Sequence, residues 1–146
     1  MPGWRVGMVA TNSTFIQWIL KIKSNIDSGT FRPLQLAAAQ AYENTEEWHT
    51  QANVTTYASR RKIAEDIMTQ LGCTFDPTQQ GMFLWGRIPE SIQNVEDLTE
   101  RVLHEARVFI APGFIFGSNG ERYIRISLCA KNEKMLEALN RIKKLS

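Results

Sequence analysis

The chain has 146 residues, 43% of them hydrophobic and 22% charged, with a formal net charge of +2 at pH 7. This is the composition of an ordinary soluble protein with room for one domain and its core, and its interspersed charges leave no basic stripe for nucleic acid or an anionic membrane. Lys21 and Lys23 interrupt the longest apolar run, which excludes a membrane span, while two cysteines, Cys73 and Cys129, make neither a disulfide framework nor a zinc site and imply a reducing, cytoplasmic setting.

The first element is Val6–Ala10, which reads as a buried strand. A chain that enters an apolar strand with so short a lead-in looks cut from something longer. Asn12-Ser13-Thr14 offers oxygens to cap a helix, with Gln17 placed as in a capping box. Phe15, Ile16, Ile19, Leu20 and Ile22 then form an apolar stripe beside Trp18. Residues 24–30 read as a loop. Pro33 suits the first turn of a second helix, and Leu34, Ala37, Ala38 and Ala41 give it a small-residue face. Glu46-Glu47 opens a long helix through Trp48 and Tyr57 to Leu71, closed by Gly72. Its length suits a strut between two lobes.

From there the pattern is a small α+β unit. The strands are Met82–Ile88, Val108–Ala111 and Arg122–Leu128. Two helices lie between and after them, one capped by Asn94 with Val95, Leu98 and Val102 inward, the other capped by Asn132 with Met135, Leu139 and Ile142 inward. The order β-α-β-β-α predicts a two-layer domain, a small sheet covered on one side by helices. No internal repeat or low-complexity tract interrupts it.

Candidate chemistry is concentrated in two arginines. In the last strand, Tyr123, Arg125 and Ser127 alternate with Ile124, Ile126 and Leu128, so Arg125 is fixed mid-strand on the polar face. A guanidinium on a rigid element near a glycine-rich turn can clamp a carboxylate through two parallel hydrogen bonds. Arg5, beside Gly3 and Trp4, is suited to a phosphate. His49 and His104 read as solvated or satisfied, and no ligand-spaced set suggests a metal. Gly113, Gly117 and Gly120 precede a strand and not a helix, so they are not a dinucleotide fingerprint. Phe83 and Trp85 share a strand face and read as core. No catalytic nucleophile or base is evident.

Several strings carry more than pattern: Gly3-Trp4-Arg5-Val6-Gly7, Lys23-Ser24-Asn25, Asp27-Ser28-Gly29 and Pro33-Leu34-Gln35. They are followed by Tyr57-x-x-Arg60-Arg61, Pro112-Gly113-x-x-Phe116-Gly117 and Tyr123-Ile124-Arg125-Ile126-Ser127. In this order and spacing the whole chain resembles the carboxy-terminal part of class I/II aminotransferases, the fold-type I enzymes that use pyridoxal phosphate. The resemblance implies that Arg5 binds the cofactor phosphate and that Arg125 grips the α-carboxylate of an amino-acid or 2-oxo-acid substrate. It implies residues 1–30 as the end of the large cofactor domain, 31–72 as bridging helices, and 73–146 as the small domain. It also implies a homodimer, with the 25–31 loop near the subunit interface. The lysine that carries the cofactor in this family lies about eight residues before the phosphate arginine, a position ahead of Met1, so this chain alone is expected to be inactive. Exposed apolar surface on its first segments should drive association. Rival readings are an aminotransferase-like sensor domain of a transcriptional regulator, a pyridoxal-phosphate lyase of the same fold, and a free-standing interaction domain.

Overall fold

A computed structural model describes residues 2–145, and its contacts divide the chain into two compact units that meet between Thr50 and Gln51. The first unit is helical. Helix α1 spans Ser13–Ile26 and begins at Asn12, whose side-chain oxygen accepts the Phe15 N–H at 3.1 Å. That bond satisfies one of the free donors of the first turn, so Asn12 supplies the cap and no Thr14–Gln17 box is needed. Helix α2 spans Arg32–Glu43 with proline in its first turn. The short helix α3, Thr45–His49, carries Glu46 and Glu47 at its positive end. None of these three helices contains a buried residue.

Residues 6–10 are not the strand their apolar character predicts. They are irregular and almost wholly exposed. A strand is defined by its ladder, and among the described residues no extended neighbour pairs with this segment.

The second unit begins in the predicted long helix, which is not uniform: a π-helical stretch, Thr50–Tyr57, precedes helix α4, Ala58–Gln70. Leu71 is its C-cap, and Gly72 follows at φ +71°. The Gly72 and Cys73 amides donate back to Thr69 and Met68 at 3.0 and 2.9 Å. Those paired bonds satisfy the last carbonyls, and the left-handed residue they require is glycine. Strand β1, Phe83–Arg87, helix α5, Val95–Ala106, strand β2, Ala111–Pro112, strand β3, Tyr123–Ser127, and helix α6, Asn132–Ile142, complete the unit. The sheet is antiparallel with β3 in the middle, in the order β1-β3-β2.

This is the α+β arrangement read from the sequence, with differences at element ends. The Val108–Ala111 strand shrinks to Ala111–Pro112. Arg107 ends α5 in the left-handed conformation at φ 56° and turns the chain, and Pro112 has no N–H to extend the ladder, which confines it to a sheet edge. Asn132 is inside α6 and not its cap; Lys131 takes that place, and the Asn132 amide reaches Ser59 Oγ at 3.1 Å. Asn94 occupies the cap of α5 by backbone only, its side chain turning to Asp97.

One face of the sheet is closed by helices. Leu84, Ile124 and Leu128 meet Ile63, Ala64, Ile67 and Met68 of α4, Leu98 and Val102 of α5, and Met135, Leu139 and Ile142 of α6 in one continuous core. The second half of the long helix is therefore part of the core. Gly86 lies on this face of β1, where a Cβ would run into Met68 Sδ and Cys73 Cβ; the missing side chain lets α4 lie flush on the strand. Gly86→Ala is expected to lower stability by about 1–3 kcal/mol through overpacking, read as a lower urea midpoint at unchanged slope. An unaltered midpoint would show that Met68 yields freely.

Candidate functional site

Among the described residues the helices of the core, α4, α5 and α6, pack on the first face; Arg125 stands on the other. Register fixes its neighbours: Arg125 of β3 lies opposite Trp85 of β1 and Ala111 of β2, while Ser127 lies opposite Phe83. The guanidinium carbon sits 4.2 Å from the Phe83 ring centroid, 5.8 Å from that of Trp85 and 3.7 Å from that of Phe116. Trp85 in turn meets Phe116 and Tyr123 edge to face, at 5.4 and 6.5 Å. Phe83 and Trp85, which the apolar reading of β1 placed in the core, are thus not core. Phe83 is 40% exposed, and both rings line the outer face because the alternate positions, Leu84 and Gly86, point inward.

Each ring face is electronegative and attracts the cation, to the extent of roughly 0.5–2 kcal/mol per well-placed contact. Rings accept no ordinary hydrogen bond, however. Among the described residues Arg125 makes no ion pair and no hydrogen bond. It is half-buried, cationic and held by aromatic faces, with its N–H donors unused. A guanidinium so held has the chemistry to take a carboxylate. Beside it, Trp85, Phe116, Asn119, Gly120 and Tyr123 border a depression of about 380 Å³, and a second cavity of about 500 Å³, mostly apolar, runs along Val108–Ala111, Ile126 and Met135.

The neighbouring arginines are spent differently. Arg122 donates to the carbonyls of Ile92, Gln93 and Pro89 at 2.6, 2.8 and 3.0 Å. Arg60 stacks over Tyr57 and donates to the Leu128 carbonyl at 3.0 Å, and Arg61 donates to that of Gly81 at 3.3 Å. The Tyr57-x-x-Arg60-Arg61 string therefore ties α4 to the chain beside β1 and β3. Gln79 closes the free edge of β1, its amide both accepting from the Trp85 N–H and donating to the Trp85 carbonyl at 2.9 Å. None of these anchoring roles, nor the place of Phe116 over the cation, was read from the sequence; the short motifs marked only Arg60, Arg61 and Phe116.

Arg5 belongs to the first unit. It follows a 3₁₀ turn, Pro2–Trp4, and is itself left-handed at φ 57°, unusual for a side-chain-bearing residue. Its side chain is exposed and makes no ion pair among the described residues. In the same unit, Lys23 lies 2.7 Å from Asp27, and the Gly29 N–H donates to the same carboxylate at 2.9 Å. The Lys23 bond first, and then the Gly29 amide, keep the Asp27 carboxyl below its usual pKa.

Other candidates fall away. His104 is exposed beside Glu100, and His49 is exposed with Trp48 next to it, as solvated histidines would be. Cys73 is buried, and desolvation pushes its thiol up to about 11, so it is no thiolate nucleophile near neutrality. No group of metal-ligating side chains converges among the described residues, and no helix is long and apolar enough to cross a membrane.

The sequence profile of the family described as aminotransferase class I and II matches residues 1–142. The chain belongs to this family. It is 34% identical over 142 residues to LL-diaminopimelate aminotransferase 2 of Trichormus variabilis, covering 97% of this chain and 36% of that protein. It is 35% identical over 145 residues to the LL-diaminopimelate aminotransferase of Aquifex aeolicus, covering 99% and 37%. The fold matches an aromatic aminotransferase from Pyrococcus horikoshii with a TM-score of 0.80 at 30% identity, over 99% of this chain and 39% of that one. Apo-BacF from Bacillus subtilis matches with a TM-score of 0.75 at 31% identity, over 99% and 37%. The aminotransferase chain described here thus spans little more than a third of the relatives it matches and corresponds to their C-terminal part.

Enzymes of this aminotransferase family use pyridoxal phosphate. An exposed guanidinium at Arg5, with no ion pair among the described residues, is chemically suited to its phosphate.

Proposed function

We propose that this chain supplies the carboxylate-binding and phosphate-binding arginines of an aminotransferase that moves an amino group between an amino acid and a 2-oxo acid. The observation that carries this reading is the unpaired Arg125, positioned among Phe83, Trp85 and Phe116. Relatives named for LL-diaminopimelate and for aromatic amino acids share this part of the chain. What such substrates have in common is the α-carboxylate, which is the group that Arg125 suits.

In this reading Arg5 holds the phosphate of pyridoxal phosphate and Arg125 holds the substrate carboxylate by its paired donors. The cofactor, when bound, supplies the electron sink that stabilises negative charge at the substrate α-carbon. Arg125 fixes the substrate at one end, and the sheet beneath keeps that end from shifting. No lysine here matches the family's cofactor-bearing lysine by position, so the chain by itself is not expected to transaminate. We further propose a homodimer, because α1 leaves Phe15, Trp18, Ile19, Leu20, Ile22 and Ile26 uncovered. Free thiols at Cys73 and Cys129 support a reducing, cytoplasmic setting.

Titrating the ¹⁵N-arginine-labelled chain with 2-oxoglutarate should move the Arg125 Nε–H resonance, and Arg125→Gln should weaken binding by about 1.5–3 kcal/mol, the worth of a charged hydrogen-bonded contact. Equal affinity in both proteins defeats the assignment. Borohydride reduction after incubation with pyridoxal phosphate should fix no stoichiometric label at a single lysine; one such label would show covalent attachment within this chain. In light scattering the chain should run as a dimer or larger, and a monodisperse monomer would count against the association.

A further inference from the structure

We propose that Phe116 is the positioning residue for Arg125; the inference rests on the carboxylate reading above and adds what aims the guanidinium. Strand β3 fixes the Cα of Arg125, but a long flexible side chain follows it. Freezing such a chain only when ligand arrives weakens binding, so a group that orders it beforehand strengthens binding. Among the described residues no hydrogen bond does this. The ordering contacts are three rings, and two of them, Phe83 and Trp85, come from β1 in the same sheet. Phe116 comes from outside the sheet and makes the shortest approach, 3.7 Å.

Its place is set by two glycines. The 3₁₀ turn Gly113–Phe116 and the 3₁₀ turn Ser118–Gly120 lie back to back. A Cβ on Gly113 would strike the Gly120 and Tyr123 carbonyl oxygens, and a Cβ on Gly120 would strike the Gly113 backbone. Gly117, between the turns, sits at φ +124°, a conformation that a side chain resists. The Gly117 N–H donates to Phe114 at 3.0 Å and the Gly120 N–H donates to Gly117 at 2.9 Å. The Pro112-Gly113-x-x-Phe116-Gly117-x-x-Gly120 sequence thereby becomes a rigid bracket with Phe116 at its tip.

Burial does not explain this phenylalanine. It is 47% exposed and is not among the residues of the core. Its ring lies over the Arg125 cation and meets Trp85 edge to face. A leucine would keep much of its bulk and lose its π face, whereas tyrosine would keep both. A carboxylate at this position would also order the arginine, but it would compete for the donors that the ligand needs.

The test compares the unaltered chain with Phe116→Leu and Phe116→Tyr, following the Arg125 Nε–H resonance, with β3 amide signals confirming that the sheet is intact. Without ligand, Phe116→Leu should remove the Phe116 share of the ring-current displacement of that resonance, shifting it measurably, and speed its exchange with water, and Phe116→Tyr should preserve both. With 2-oxoglutarate, Phe116→Leu should bind about tenfold more weakly, and Phe116→Tyr close to the unaltered chain. An Nε–H resonance unmoved in Phe116→Leu, with unchanged exchange and affinity, overturns the positioning role while leaving the carboxylate reading in place. If the ligand-free signals change as expected but no form responds to 2-oxoglutarate, the carboxylate reading fails and the ring is left only as what orders the side chain.

Discussion

A cation balanced by aromatic faces and not by an anion is the arrangement on which the rest of this structure turns. Had a protein carboxylate lain against Arg125, its two oxygens would occupy the donors that an incoming carboxylate must use. Displacing such a partner would cost most of what the new bond returns. Phe83, Trp85 and Phe116 avoid that competition. Their attraction for the cation is weaker than that of a carboxylate and leaves every N–H available. Among the described residues no anion satisfies this guanidinium, which is what the proposed carboxylate reading requires.

Comparison with the other arginines of the same unit makes the distinction physical. Arg122, three residues before Arg125, is consumed by backbone carbonyls of the segment after β1, together with Glu90. Arg60 is committed to the Leu128 and Cys129 carbonyls just past the other end of β3. These two pin the chain at the ends of the strand whose centre bears Arg125. The apolar face supports it from beneath, where Ile124 is fully buried and Gly86 brings α4 against β1. Three guanidinium groups of identical chemistry therefore do different work, and the partner each one has decides which.

Much of this was legible in the chain. Period-two alternation located β3 and put Arg125 on its polar face, and the glycine after Leu71 located the end of α4. The misreadings share a cause. Alternation says which residues share a face, not which face turns inward. In β1 the outer set, Phe83 and Trp85, is more hydrophobic than the inner pair, Leu84 and Gly86, so the large rings looked like core. The inner face could take a glycine because Met68 fills the space, a fact that resides in α4 and not in the strand. Residues 6–10 failed similarly, since an apolar run signals affinity for cover and says nothing of what provides it. Arg107 escaped notice because a left-handed C-cap is expected to be glycine. Phe116 could not be placed at all without the close approach of Gly113 to Gly120, two glycines whose contact no local pattern announces.

The first unit obeys a different balance. Fourteen residues is near the length at which an isolated helix is marginal in water. The Asn12 cap adds on the order of 1 kcal/mol and an exposed i,i+4 pair such as Lys23 with Asp27 a few tenths. Neither offsets a stripe in which Phe15, Trp18, Leu20, Ile22 and Ile26 all face water. Helix α6 carries a comparable stripe, but there Met135, Leu139 and Ile142 are buried against the sheet and its helices. The second unit therefore contains the cover that its helices need, and the first does not. The same patterning that builds a core in one half of the chain leaves an apolar stripe exposed on α1 in the other, and that stripe is the basis of the proposed association.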